Sequence, residues 1–289
     1  MEAVWPIDDR GWAGPVERTE VVLFSQGLWT PDLDRGRLPE IAALPVLRWL
    51  HTETTGTDHP LYERLRQRGI VVTTSAGTMS RPMAEFALGL MLRIVKRMDR
   101  WAAAQRERRW LEVGSEDCDE LSGKTVGIVG LGHIGSAIAT LAHACGMRVL
   151  GCRRGATATS FVDELFALRD LEAMIAASDF VILAVPLTPE TRGLMSRPLL
   201  ERLRPHAWLI NLARGAVVDE AALIEALREG RFGGACLDVT VEEPLPPESP
   251  LWDLPNVIIT PHVSATSPAY LERVAQLFLD HFRRHCAGG

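Results

Sequence analysis

The sequence predicts an α/β protein with a doubly wound parallel sheet in a larger domain and a second, smaller α/β domain. Three observations predict this fold class. Short apolar runs of the kind that form buried strands alternate with helical patterns along most of the chain. One of these runs, at residues 126–129, leads into a glycine-rich turn at 130–135 and then into a helical pattern. At 289 residues the chain also exceeds the usual domain of about 150 residues, and its apolar content of 47% is enough for two cores.

The first part of the chain has few strand and helix patterns. After a polar lead-in, Val21–Phe24 and residues 46–51 are predicted strands. Residues 58–68 are predicted to form a helix that stops at Gly69, and residues 70–74 a further strand. These alternations make the first domain α/β as well.

A long helix is predicted next, beginning near Pro82 and running over 83–98. Its apolar residues lie on two faces, which indicates burial nearly all round, between domains or against another subunit. Residues 100–109 carry many charges, with Trp101 among them and Trp110 directly after. This segment is either a solvated face or a subunit contact anchored by tryptophan and arginine.

After a polar loop, strands and helices alternate regularly. The predicted strands are 126–129, 147–152, 180–185, 207–211, 235–239 and 257–260, and the predicted helices are 136–142, 170–178, 219–229 and 268–285. Such an alternation forms an open parallel sheet, whose ligands bind beyond the carboxyl ends of the strands. We expect the larger domain at 81–267 and the smaller, discontinuous domain at 1–80 and 268–289.

Composition restricts the class of function. The net charge of −6 and the isoelectric point near 5.8 disfavour a nucleic-acid-binding surface. No apolar run approaches the length of a membrane span, and the amino end lacks the pattern of a secretory signal. The five cysteines form no C-x-x-C pair, so neither a disulfide framework nor a metal site is expected. The sequence therefore predicts small-molecule chemistry in the cytoplasm, without a nucleic-acid, membrane or metal partner.

The glycine turn has the spacing of a dinucleotide-binding fingerprint. Gly130 permits the tight turn, Gly132 leaves room for a pyrophosphate, and Gly135 lets the helix lie close to the strand. His133 and Ile134 stand at the start of the helix, where free N–H groups favour an anion. The alternative is a glycine-rich turn with no ligand. Because the next predicted strand completes a βαβ unit, we favour a Rossmann-type dinucleotide-binding domain.

The end of the second strand indicates which dinucleotide binds. An acidic residue commonly stands there and binds the ribose 2′-hydroxyl of NAD. Here Arg153 and Arg154 follow the strand, and a guanidinium can bind a 2′-phosphate with two parallel hydrogen bonds. The sequence therefore predicts NADP(H) in preference to NAD(H), the alternative being two solvated arginines.

Three polar residues follow successive predicted strands, and these strand ends meet at one edge of the sheet. Arg214, Glu243 and His262 could bind a carboxylate, orient an imidazole and transfer a proton, respectively. Each taken alone has a structural alternative: a lone histidine is more often structural, Glu243 could be a charge on a loop, and Arg214 could pair with Asp238 or Asp219. Taken together they predict a catalytic site.

A small-residue turn follows the strand at 46–51. The turn, at residues 52–58, leaves backbone N–H groups free to face an anion. An ordinary glycine turn is the alternative.

The chain resembles the D-isomer-specific 2-hydroxyacid dehydrogenases, which include glycerate, glyoxylate/hydroxypyruvate and D-lactate dehydrogenases. The likeness extends over about residues 47–281. It rests on collinear motifs, which read TSAGTMSRPMAEFALGLML, GLGHIGSAIA, VPLTPETRGLM, LINLARGAVVDEAALIEAL and LDVTVEEPLPPESPLWDLPNVIITPHVSA.

The resemblance implies a role for each matched residue. Arg214 would bind the carboxylate and carbonyl of a 2-oxo acid, and His262 would be the acid/base paired with Glu243, which is chosen over Glu242 because it precedes Pro244. The remaining implied contacts are Thr54, Thr55 and Gly56 with the substrate carboxylate, Asp238 with the nicotinamide carboxamide, and Pro186 and Thr191 with the adenosine.

The family likeness also carries expectations about assembly and substrate. It implies a homodimer formed through the cofactor domain, and a flavodoxin-like substrate domain that is trimmed here, because fewer residues precede the strand at 46–51 than in the family. Glyoxylate or hydroxypyruvate is the expected substrate. A dinucleotide-sensing interaction protein, like the co-repressors of this fold, is the alternative. A family member acting on phosphite or formate is less favoured, since formate enzymes carry glutamine where Glu243 stands.

Overall fold

The computed structural model describes residues 7–8, 11–12, 16–24, 38–57, 59–155 and 160–286. The chain divides into two compact units. Unit 1 comprises Met1–Thr78 and Ser267–Gly289, and unit 2 comprises Met79–Thr266. The assignment of a substrate role to the first unit, and the predicted boundaries 1–80, 81–267 and 268–289, stay predictions.

Unit 1 is built on a parallel sheet. Its elements are the two-stranded hairpin β1 (Ile7–Asp8) and β2 (Gly11–Trp12), the sheet strands β3 (Val21–Phe24), β4 (Trp49–Thr52) and β5 (Val71–Thr74), and the helices α1 (Leu38–Ala42), α2 (Pro60–Gln67) and α9 (Tyr270–Cys286). The strands lie in the order β3-β4-β5, with Trp49 opposite Val71 and His51 opposite Thr73. The predicted small α/β domain therefore has a three-stranded parallel sheet within the described residues.

The two faces of this sheet pack differently because side chains alternate along a strand. Leu50 points into a core with Leu61 and Leu65 of α2, which begins with Pro60 and is capped by His59. On the opposite face, Trp49 stacks on Phe278 of α9 with ring centroids 5.3 Å apart. The last helix thus completes the burial of β4.

Unit 2 contains a seven-stranded parallel sheet in the order β12-β11-β10-β9-β6-β7-β8. The strands are β6 (Thr125–Val129), β7 (Arg148–Cys152), β8 (Glu164–Phe166), β9 (Phe180–Leu183), β10 (Trp208–Asn211), β11 (Gly234–Leu237) and β12 (Val257–Ile259). Its helices are α3 (Ser80–Val95), α4 (Met98–Arg106), α5 (His133–Ala144), α6 (Leu171–Ala177), α7 (Arg197–Leu200) and α8 (Glu220–Arg228). The strand order reverses between β6 and β9, and in such sheets ligands bind at that point.

The core of unit 2 lies on both faces of this sheet. Val126 and Ile128 belong to the core cluster on one face, together with Ala87 and Met91 of α3. The other cluster includes Val129 and residues of α6 and α8. Because both faces are covered, strands such as β6 and β9 are buried at every position. The predicted doubly wound α/β fold is confirmed.

Several predicted boundaries were wrong. The helix expected at 83–98 ends at Val95, because Arg97 adopts a left-handed conformation (φ 48°), and a separate helix α4 follows. The strand β8 and the helix α7 were not predicted as elements, since each is too short for a periodic pattern. The helix expected at 58–68 begins at Pro60, and Asp58 lies outside the described residues, as does most of the polar lead-in.

Candidate active site

The glycine turn joins β6 to α5. Gly130 has φ +99°, a conformation that favours glycine, and a Cβ on Gly135 would lie 1.9 Å from the Gly130 carbonyl oxygen. Gly132 is the N-cap of α5, and no described atom lies within 4 Å of the place a Cβ would take there. His133, exposed, and Ile134, half-buried, open the helix. This open helix N-terminus fits the pyrophosphate of a dinucleotide.

The two arginines lie at the end of β7. The Arg153 N–H donates to the Phe166 carbonyl at 3.4 Å, and its side chain is half-buried, whereas Arg154 is exposed. The pKa of the Glu190 carboxyl is lowered, first by a hydrogen bond from Thr188, then by its own backbone N–H and the charge of Arg154. The positive charge of Arg154 therefore reaches the loop that follows β9.

Pro186 and Thr191 lie in that loop. The Thr191 hydroxyl donates to the Pro186 carbonyl at 2.7 Å and accepts the Thr188 N–H at 2.8 Å. Since β9 is the neighbour of β6 at the point of reversal, this loop and the glycine turn flank the same crevice.

Arg214 is half-buried at the end of β10 and is held there by a buried amide. Asn211 accepts the Ala213 N–H at 3.0 Å and donates its own N–H to the Arg214 carbonyl, also at 3.0 Å. Asp219, considered above as a partner for Arg214, caps α8 by accepting the Ala222 N–H at 3.1 Å. The Asn211 amide was missed by sequence reasoning, although a polar residue at the end of an apolar strand was the available signal.

The turn that carries Arg214 packs directly on the loop that carries Glu243. A Cβ on Gly215 would lie 2.0 Å from the carbonyl carbon of Thr240 and 2.1 Å from its oxygen. The Thr240 hydroxyl donates to the Glu242 carbonyl at 2.7 Å. Only glycine allows this approach, so the two loops have a fixed relation.

Glu243 and His262 form a hydrogen-bonded pair, with 2.8 Å between Glu243 Oε2 and His262 Nδ1. The other carboxylate oxygen of Glu243 accepts the Thr240 N–H at 3.2 Å. Burial acts to raise the pKa of the Glu243 carboxyl, but the hydrogen bond and charge of His262, the Thr240 N–H and the charge of Arg214 outweigh it, and the pKa is lowered. Glu243 is therefore ionised at neutral pH and can accept a hydrogen bond from the imidazole.

Asp238 holds the loop on which His262 stands. Its buried carboxylate accepts the Thr260 hydroxyl at 2.7 Å and the N–H groups of Val263 at 2.9 Å and Ser264 at 3.0 Å. His262 has φ 53°, a left-handed conformation that is strained for this residue type. The structure shows Asp238 as the anchor of this conformation, a task that sequence reasoning missed; its predicted contact with the nicotinamide stays a prediction.

In unit 1, the predicted anion-binding turn follows β4. Thr54 donates its hydroxyl to the Gly56 carbonyl at 2.9 Å, and Thr52 Oγ1 lies 3.0 Å from Thr54 Oγ1. Within the described part of the chain, the backbone N–H groups of Thr55 and Gly56 donate no hydrogen bond. Two donors are thus available to an anion.

Among the described residues, no group of three or more histidine, cysteine or acidic side chains could hold a metal ion. The five cysteines are free thiols, and burial raises the pKa of Cys152 to about 11 and that of Cys236 to about 12. No described helix is both long and apolar enough to cross a bilayer.

Comparison with known families gives a match to most of unit 2. The family model for the D-isomer specific 2-hydroxyacid dehydrogenase, NAD binding domain, matches residues 88–264. A glyoxylate reductase of Thermofilum pendens is 37% identical over 241 residues, which cover 81% of this chain and 70% of that protein. A glyoxylate/hydroxypyruvate reductase B of Pectobacterium carotovorum subsp. carotovorum is 39% identical over 230 residues, which cover 77% of this chain and 71% of that protein.

A solved structure gives the same match over nearly the whole chain. It is a D-isomer specific 2-hydroxyacid dehydrogenase from Xanthobacter autotrophicus Py2 in complex with NADPH and MES, with a TM-score of 0.82 and 36% identity. The alignment covers 98% of this chain and 86% of that one.

Proposed function

The chain belongs to the D-isomer-specific 2-hydroxyacid dehydrogenase family, and we propose that it reduces a small 2-oxo acid, of glyoxylate or hydroxypyruvate type, to a D-2-hydroxy acid with NADPH as reductant. That it is an NAD(P)-dependent D-2-hydroxyacid dehydrogenase follows from the family match. The observation that carries the finer proposal is the hydrogen-bonded pair of Glu243 and His262, at 2.8 Å, with the charge of Arg214 acting on the same carboxylate.

The three side chains divide the reaction between them. Arg214 binds the carboxylate of the 2-oxo acid and polarises the adjacent carbonyl, since a guanidinium donates several hydrogen bonds in one plane. His262 donates a proton to the carbonyl oxygen as it becomes an alcohol. Glu243 orients the imidazole through their hydrogen bond. The bound nicotinamide supplies the hydride.

The backbone of unit 1 is proposed to take part in substrate binding. The N–H groups of Thr55 and Gly56, which donate no hydrogen bond to any described residue, would bind the substrate carboxylate. Oriented backbone N–H groups of this kind favour anions.

The preference for NADP(H) rests on Arg153 and Arg154. Their position at the end of β7 is where dinucleotide domains contact the 2′ substituent of the adenosine ribose. The NADPH in the Xanthobacter relative supports this preference by analogy.

A homodimer through unit 2 is proposed from the apolar residues that stay exposed near α3 and α4. Leu92 is 39% exposed, Met98 54% and Trp110 97%. Aromatic and methionine side chains are enriched at such interfaces. A cytoplasmic location stays a prediction from the cysteine content.

The test is steady-state oxidation of NADPH with a panel of 2-oxo acids that includes glyoxylate, hydroxypyruvate and pyruvate. We expect turnover within the ordinary enzyme range of about 1 to 1000 per second for at least one of them. Turnover below about 0.01 per second for every acid, with NADPH still bound, would overturn the proposal and favour the dinucleotide-sensing alternative. His262→Asn, which cannot act as an acid/base, is the matched control.

A further inference from the structure

A chain of hydrogen bonds crosses the interior of unit 1 and ends at the predicted substrate loop. Trp49 Nε1 donates to Thr73 Oγ1 at 2.8 Å, and Thr73 Oγ1 lies 2.7 Å from His51 Nδ1. On the other side of the ring, His51 Nε2 lies 3.0 Å from Ser75 Oγ. His51 and Ser75 are fully buried. Polar groups this deep in a small unit need a reason, because each must be paired to offset the loss of water.

One assignment of protons satisfies every hydrogen bond in this chain. In this assignment Ser75 donates its hydroxyl proton to the Thr52 carbonyl at 3.2 Å, and its oxygen accepts a proton from His51 Nε2. His51 then carries its proton on Nε2, and Nδ1 accepts the hydroxyl proton of Thr73, which in turn accepts from Trp49. A neutral imidazole in one tautomer satisfies all of these bonds.

The backbone of Ser75 connects this chain of hydrogen bonds to the loop after β4. Its N–H donates to the carbonyl oxygen of Thr52 at 3.0 Å and to that of Thr54 at 3.3 Å. In a trans peptide the C=O of one residue and the N–H of the next point in opposite directions. Holding the Thr54 carbonyl against Ser75 therefore turns the Thr55 N–H away from Ser75, to the side where it has no described acceptor.

A second series of hydrogen bonds, which we call the second arm, also holds this loop; the series through His51 is the first. Tyr62 Oη lies 3.3 Å from Thr52 Oγ1, which lies 3.0 Å from Thr54 Oγ1, and Thr54 donates to the Gly56 carbonyl at 2.9 Å. This arm fixes the loop along its own length. The arm through His51 is the one that ties it to β5 and the interior.

We propose that His51 and Ser75 are positioning residues for substrate binding: the Nε2–H of neutral His51 fixes the Ser75 hydroxyl, and Ser75 aims the Thr55 N–H at the substrate carboxylate. This inference rests on the proposed function of the loop. It assigns a task to a histidine that is fully buried. Burial and the charge of His281 lower the pKa of His51 to about 4, in accord with a ring that stays neutral at working pH.

Two substitutions at one position form a matched pair. In His51→Gln the side-chain amide nitrogen reaches the place of Nε2 and can donate to Ser75, whereas in His51→Asn it reaches only the place of Nδ1. We expect His51→Asn and Ser75→Ala each to raise the KM for the 2-oxo acid about threefold to tenfold, because one net hydrogen bond is worth about 1 kcal/mol. We expect His51→Gln to stay within about twofold of the wild type, and the Kd for NADPH to be unchanged in all three.

The double variant tests whether the two residues act through one bond. If they do, His51→Asn combined with Ser75→Ala raises KM no further than the larger single effect, since the second change removes a contact already lost. If the two changes instead multiply in their effect on KM, the proposed relay, from His51 through Ser75 to the Thr55 N–H, is contradicted.

A readout without substrate separates this inference from the proposed function. The Ser75 backbone N–H, which holds both loop carbonyls, should exchange with deuterium at least threefold faster in His51→Asn and Ser75→Ala than in His51→Gln, measured on the peptide over residues 71–78 of the full chain. Faster exchange without turnover of any 2-oxo acid would overturn the proposed function and keep the relay. Unchanged exchange in the folded variants, or a KM effect in His51→Gln equal to that in His51→Asn, would overturn the relay.

Discussion

Replacing His51 by glutamine should remove an acid sensitivity that is built into unit 1. In the folded protein, burial and then the charge of His281 lower the pKa of His51 from 6.5 to about 4. The unfolded chain takes up a proton on this residue near pH 6.5, but the folded protein does not until near pH 4. The stabilising contribution is therefore complete above pH 6.5 and is lost as the pH falls toward 4.

The size of the effect follows from these two values. Each tenfold difference in proton affinity is worth about 1.36 kcal/mol, so the whole loss approaches about 3 kcal/mol, of which about 2 kcal/mol is lost between pH 7 and pH 5. This is a large share of the stability of a typical domain, about 5 to 15 kcal/mol.

The assay is the free energy of urea unfolding at pH 7 and pH 5 for the wild type and His51→Gln. Glutamine does not titrate and all other ionisable groups are shared, so the wild type should lose about 2 kcal/mol more than the variant on acidification. Proton NMR offers a direct check. The His51 imidazole signal of the wild type is identified by its absence from the spectrum of His51→Gln, and its chemical shift should stay nearly constant between pH 8 and pH 5. Parallel losses of stability, or an imidazole that titrates near pH 6.5, would refute the reasoning.

Three further predictions concern unit 2. Arg153→Asp should lower the ratio of kcat/KM for NADPH over NADH by about 10- to 150-fold, because it removes a charged hydrogen bond worth about 1.5 to 3 kcal/mol; an unchanged ratio would remove the claim. Glu243→Gln should lower kcat by about a hundredfold or more while the Kd for NADPH is unchanged, since the carboxylate that orients His262 is lost; kcat near that of the wild type would contradict the assigned role. Gly215→Ala should cost about 1 to 3 kcal/mol of stability and lower kcat, because its Cβ would meet the Thr240 carbonyl at about 2 Å; thermal unfolding at the wild-type temperature would show that the loops separate freely.

Sequence patterns predicted most of unit 2 because its strands are buried on both faces. An apolar run bounded by turn residues needs no partner to be recognised, and β6 with its glycine turn is the clearest case. β8 was missed because it is three residues long, begins with the exposed Glu164 and owes its strand form to pairing with β7. The break at Arg97 was missed because neither glycine nor proline marks it.

The same limit applies to the sites. The order of the strands brings Glu243 and His262 to one edge of the sheet, so their proximity could be inferred from topology. The tasks of Asp238 and Ser75 could not, since each depends on hydrogen bonds to residues that are far away in sequence or on the rotation of single peptide groups. Periodicity carries no information about such contacts.

The discontinuity of unit 1 has a consequence for synthesis on the ribosome. Unit 2 is one continuous stretch, whereas the indole of Trp49 in β4 is covered by Phe278 and Phe282 of α9, which is translated only after all of unit 2. Domains commonly fold as they emerge from the ribosome. For this protein, unit 2 can fold co-translationally, while Trp49 of the nascent chain stays uncovered until α9, the helix that shields it, has been made.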